Sequence, residues 1–153
     1  MATAIIAVLG TLLGALAAGA MQHLVSVSAR RDRDRQALAA AVAGLLGAAT
    51  DHRRHQYLKH AERREGTAPD TPEARAVRWE AKSVMTKALT ALTLATDDPV
   101  LIRLAGELVT ASREVGDPAH DDRPTIPGSV PRANQAHAAL RSAAAQHLRR
   151  SRR

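Results

Sequence analysis

Between Met1 and Ala29 the chain carries no Asp, Glu, Lys or Arg, and the residues that follow are Arg30, Arg31, Asp32, Arg33, Asp34 and Arg35. At about 1.5 Å of rise per residue, roughly 20 mostly apolar residues make a helix that crosses a hydrocarbon core of about 30 Å. Ala4 to Val25 has that length. The sequence therefore predicts a single transmembrane anchor over residues 1–28, with a basic stop signal behind it. Two other readings compete. A cleaved secretory signal has a basic leading region and a shorter apolar run before a small-residue site. Ala18-Gly19-Ala20 fits such a site, yet nothing basic precedes the run. A buried helix of a soluble protein usually shows a polar stripe; here the polar side chains before Ser26 are Thr3, Thr11, Gln22 and His23.

Orientation follows from the arginine bias. Arg30, Arg31, Arg33 and Arg35 flank one end of the run and no basic side chain flanks the other. Positive charge stays inside, so the expected topology is a single pass through the cell membrane, N-terminus outside and the rest of the chain cytoplasmic. Those arginines would also meet anionic headgroups. Gly10 and Gly14 form a G-x-x-x-G, and Ala18 continues its four-residue spacing. Small residues at that spacing let membrane helices approach closely, which makes this face a candidate for self-association. Glycine and alanine are also common in any membrane helix.

Beyond the anchor, about 125 residues are enough for one small domain. The chain of 153 residues has no cysteine and no phenylalanine, with one Trp and one Tyr. That excludes a disulfide framework, thiolate metal sites and a cysteine nucleophile. The core has to come from Ala, Leu and Val, which brings helices close but buries little area per residue. A net charge of +7 suits an anionic membrane surface or nucleic acid, and does not choose between them.

Periodicity predicts an all-α chain: the anchor, then a small antiparallel bundle over residues 29–116 with helices over about 29–65, 72–96 and 99–115. In the first, Leu38, Val42, Leu45, Ala49 and His52 form a coiled-coil-like seam of 4-3-4-3 spacing. That seam decays after Ala49, leaving the far half solvated or covered by a partner. Gly66 is placed to end it, before a turn at Thr67-Ala68-Pro69-Asp70. Thr71-Pro72-Glu73 and Asp98-Pro99 are cap-plus-proline start signals. The inward stripe of the second helix is Ala81, Met85, Ala88, Leu92 and Ala95, widened by Val84 and Leu89. That of the third is Leu101, Ala105, Leu108, Ala111 and Val115. Residues 117–131 contain four prolines and read as a loop, and 132–153 as a basic helix or tail with Ala133, Ala136, Leu140, Ala144 and Leu148 on one side. No alternation or hairpin signal indicates a strand.

Chemistry-bearing candidates are few. Asp51, His52 and His55 can share one helical face, but zinc needs three or four ligands and nothing supplies the rest; the other reading is a solvated charged face. Arg75 precedes Trp79 by four residues, which allows a cation–π stack; the alternative places Trp79 at the rim of the core. Phosphate-cradling glycine loops, nucleophile elbows and paired carboxylates in apolar settings are missing. The expectation is a non-enzymatic protein with no cofactor and no catalytic residue. Arg149, Arg150, Arg152 and Arg153 end the chain, and no acidic residue follows Asp122. This tail can meet an anionic leaflet, contact phosphates of nucleic acid without sequence preference, or stay solvated.

The opening Ala4 to Gly14, Asp51-His52-Arg53-Arg54, Arg75 to Trp79 and Leu92-Thr93-Leu94-Ala95-Thr96-Asp97-Asp98-Pro99-Val100 together resemble the KilB-like plasmid-spread proteins of Streptomyces and related actinomycetes. The resemblance runs over about residues 3–116. It implies a membrane-associated accessory protein that helps a conjugative plasmid spread within mycelium, and it carries over no catalytic residue. The expected partners are the lipid bilayer, further copies of the chain, other transfer or membrane proteins, and non-specifically bound nucleic acid. The rival reading is a membrane-tethered DNA-binding protein acting through the arginine tail.

Overall fold

The computed structural model describes the backbone of residues 2–66, 71–115 and 126–151. Side chains are described for residues 19, 21–23, 25–62, 66, 71–115 and 128–151. Among these the chain is all-helical: α1 (Ala2–Glu65), α2 (Pro72–Ala95), α3 (Pro99–Glu114) and α4 (Ile126–Arg150). It forms two compact units, residues 1–36 and 37–153.

The first unit consists of the N-terminal part of α1. The separate anchor and bundle helices expected on either side of residue 28 are one continuous helix. The reason is local: Ser26 to Gln36 holds no Pro or Gly, and Ala and Arg are strong helix formers. The switch from uncharged to charged residues changes the preferred solvent without breaking the backbone. Among the described residues no helix is long and apolar enough to cross a membrane. The expected span over Ala4–Val25 falls mainly on side chains outside that set, and so do Gly10, Gly14 and Ala18.

In the second unit the four helices share one core. Leu38, Val42, Leu45 and Ala49 of α1, Met85 and Leu92 of α2, Leu101, Ala105 and Leu108 of α3, and Leu140 and Ala144 of α4 are all buried together. Their spacings are those of the sequence seams. A second, smaller cluster joins Ala111 and Val115 to Ala133. One member of the expected α2 stripe departs: Val84 is 43% exposed, at the edge of the buried arc.

The helix ends follow their signals. Gly66 ends α1 at φ +64°, the left-handed conformation that glycine adopts without a Cβ penalty. Thr71 Oγ1 accepts from the Ala74 amide at 3.2 Å, with Pro72 opening α2. Asp98 accepts from the Val100 amide at 2.9 Å, with Pro99 opening α3. Asp98 also takes His147 Nδ1 at 2.7 Å, fastening the start of α3 to the end of α4. At the opposite end Arg132 meets Glu114 at 3.0 Å. These two ties make α3 and α4 antiparallel.

α4 begins at Ile126, six residues before the expected Arg132, so it takes in Pro127 and Pro131. A proline's fixed φ suits the first turn, where amides lack intrahelical partners anyway; Pro131 forfeits only one bond slightly deeper in. Gly116, residues 117–125 of the expected loop and the Thr67–Asp70 turn lie outside the described residues.

Candidate functional site

Polar chemistry concentrates at the level where α3 ends. His52, the last seam residue of α1, is 2% exposed, and its Nδ1 has no hydrogen-bond partner. It therefore belongs to the core, which corrects the solvated-face reading of Asp51 to His55. Burial pushes its imidazole below the ordinary 6.5, and positive charge on Lys82, Arg113, His55 and Arg53 pushes the same way. Neutral His52 is thus surrounded by cations drawn from α1, α2 and α3. Ser112 Oγ, fully buried on α3, is likewise unpartnered. Among the described residues no cluster of His, Cys, Asp or Glu could hold a metal ion.

The cations around His52 are held by neutral groups. Arg53 Nη2 reaches Thr50 Oγ1 and His137 Nδ1, both at 3.3 Å, and Nη1 reaches Asn134 Oδ1 at 3.5 Å. Arg53 thereby ties α1 to α4. Burial first, then Arg53 and Arg141, lower the His137 pKa below its ordinary 6.5. Arg113 Nη2 donates to Thr86 Oγ1 at 3.2 Å, tying α3 to α2.

Trp79 lies seven residues before Thr86, on the same side of α2 and two turns past the level of Arg113. It is 71% exposed, which corrects the expectation of a rim anchor: no residue of α2 before Met85 is buried. Its cation is Lys82, 5.3 Å from the ring centroid, where the sequence suggested Arg75. At a three-residue separation Lys82 reaches back over the ring from the next turn. Lys82, Arg113, Asn134 and His137 were not singled out from the sequence. Their only signal was that Arg53 and Thr86 adjoin buried seam positions.

Arg30, Arg31 and Arg33 are exposed on the first unit, and Arg35 is half-buried with an ion pair to Asp32 at 3.3 Å. Arg149 and Arg150 are exposed at the end of α4, and Arg152 and Arg153 lie outside the described residues. An open groove of about 650 Å³ runs between α3 and α4, floored by Gly106, Ala111, Ala136 and Ala139, with Glu107 and Arg132 among its polar lining.

The sequence model of the family described as KilB plasmid transfer protein matches residues 39–148, more than half of the chain. The chain belongs to the KilB family. A relative named Protein KilB, from Streptomyces lividans, is 38% identical over 95 residues, covering 61% of this chain and 65% of that protein's length. The KilB match falls within the four-helix unit: it begins one residue after Leu38, the first buried position among the described residues of α1, and ends at Leu148 of α4. His52, Lys82, Trp79 and Arg113 all fall inside it. No solved structure matches the chain significantly.

Proposed function

We propose that this chain is a non-enzymatic, membrane-anchored accessory protein that helps a conjugative plasmid spread within mycelium. The observation that carries this reading is the KilB family match over residues 39–148, most of the helical unit. Among the described residues its buried polar side chains are His52 and Ser112, set beneath cations of α1, α2 and α3. Anchoring rests on the uncharged run from Met1 to Ala29 and on the arginines that flank it. On that reading the helical unit is cytoplasmic, and Gly10, Gly14 and Ala18 bring copies together in the bilayer. Other transfer or membrane proteins are then its partners, and clustered copies bind them with greater avidity.

Two measurements test this. Fractionation of a plasmid-bearing host is expected to place the intact chain in the membrane pellet, resistant to salt and alkaline wash; recovery in the soluble fraction refutes the anchor. Deleting the coding region from the plasmid is expected to shrink the zone of spread around each donor while leaving initial transfer intact. Unchanged spread overturns the role.

A further inference from the structure

One stripe of α2 remains unused by the fold. Arg75, Trp79, Lys82 and Thr86 recur at 4-3-4 spacing, which puts them on a single helical face. The Thr86–Arg113 contact settles that this face is the one turned toward α3. α3 ends at Glu114, one residue beyond Arg113. Two turns further along α2, at Trp79, no described residue of α3 stands beside the stripe. It therefore presents, in order, a guanidinium, an indole, an ammonium and the Arg113 guanidinium, over roughly 16 Å of helix at 1.5 Å per residue.

Among the described residues no carboxylate pairs with the charge on this track. Arg113 is held by a hydroxyl and Lys82 lies over the indole. The nearby carboxylates, Glu73 and Glu80, fall more than a quarter-turn away around α2, and Glu80 is paired with Lys87 at 3.9 Å. Behind the track His52 is buried and neutral, adding a ring without a counter-charge. Three cations that meet no anion among the described residues call for a polyanion.

The indole decides which polyanion. An aromatic that anchors a protein partner sits in an apolar patch enclosed by a polar rim. Trp79 has Arg75, Ala76, Lys82 and Ser83 as its neighbours one turn away, and the other members of the stripe are polar. An indole that is 71% exposed and has cations beside it is what an unpaired base and its phosphates require, because a base stacks on its exposed surface while the cations track the backbone. We infer that the Arg75–Trp79–Lys82–Arg113 track binds single-stranded nucleic acid, independently of the arginine tail.

The test uses the intact chain, whose one tryptophan makes its fluorescence a reporter of this face alone. Titration with oligothymidylate is expected to quench Trp79 emission, with an affinity that falls steeply as salt rises. Trp79→Ala, read by anisotropy of a labelled oligonucleotide, is expected to weaken binding about tenfold, and Trp79→Phe to keep most of it. Lys82→Ala and Arg113→Ala should each lower the salt slope by about 0.7. Replacing Arg149, Arg150, Arg152 and Arg153 by alanine together should leave the quench in place. Absence of a quench at low salt overturns the inference. So does equal quenching by polyglutamate, by duplex DNA or by anionic vesicles, which would assign the track to an acidic protein, a duplex or a lipid surface. Loss of the quench in the tail variant would return nucleic-acid binding to the tail. Trp79 and Lys82 are exposed, so unchanged helical circular dichroism is expected to certify these variants as folded.

Discussion

α3 and the first half of α2 both open on a cap followed by proline, yet the fold treats them oppositely. Along α3, Leu101, Ala105, Leu108, Val109, Ala111 and Ser112 are all buried. Along α2, nothing before Met85 is buried, and Val77 and Trp79 stand 51% and 71% exposed. The difference lies in the neighbours. α3 is packed against α2 and α4 and fastened to α4 at both ends, by Asp98–His147 and Glu114–Arg132. The early turns of α2 lie past the end of α3. Burial in this molecule is set by which helices overlap in level, and an Ala-rich helix that outruns its neighbour has its large side chains left for something else.

The largest effect expected from this contrast is on core leucine. Leu108→Ala should cost about 2–5 kcal/mol by urea unfolding, because Leu108 is fully enclosed. Val77→Ala should stay within about 0.5 kcal/mol. Comparable losses at both sites would mean that α2's first turns are covered and the contrast is false. Asp98→Ala comes next, since it removes the α3 cap and the tie to α4 in one change. The Val100 amide bond, and then His147, hold the Asp98 carboxyl below its ordinary 3.8. A depressed carboxylate contributes stability above its unfolded pKa and loses it as pH falls through the folded one. The wild-type advantage over Asp98→Ala should therefore be full at neutral pH and shrink below about 3.8. A pH-independent difference would show that the charge is irrelevant.

His52→Leu should stabilise by about 1 kcal/mol, since a buried unsatisfied ring is replaced by an apolar group of similar size. It also changes the pH profile. The unfolded chain takes up a proton near 6.5 that folded His52 refuses until lower pH, so wild-type stability falls as pH drops below about 6.5. Leucine should flatten part of that slope, leaving the share of His137, whose pKa is lowered too. An unchanged slope would show that His52 does not titrate as a buried base. The smallest expected effect is at Gly106: a Cβ there meets nothing within 4 Å, so Gly106→Ala should gain roughly 0.5–1 kcal/mol of helix propensity. A loss instead would mean that the α3–α4 groove is narrower than it stands here.

The buried seams were legible because helical spacing alone selects one face: Leu38 to His52, Leu101 to Val115 and Ala133 to Ala144 could be read off at three- and four-residue intervals. The helix starts at Thr71 and Asp98 were legible for an equally local reason, a capping oxygen followed by proline. The start of α4 was not, because proline is both a loop former and a good first-turn residue, and the sequence does not say which use applies. Trp79 was misplaced for another reason. A lone aromatic in an Ala/Leu chain is ordinarily drawn to the core rim, and only the point at which α3 stops leaves it open. The solvated reading of His52 failed because its charged neighbours outweighed its seam register.

By itself the sequence determined the all-helical class, the inward faces and most helix ends, since these depend on contacts within three or four residues along the chain. It also fixed the uncharged N-terminal run and the excess of arginine. Only the tertiary structure decided that Arg53, Lys82 and Arg113 gather around a buried neutral histidine, and that Trp79 lies uncovered beside them. Those facts depend on the relative levels of separate helices, a quantity set by loop lengths and packing between elements that no local pattern encodes.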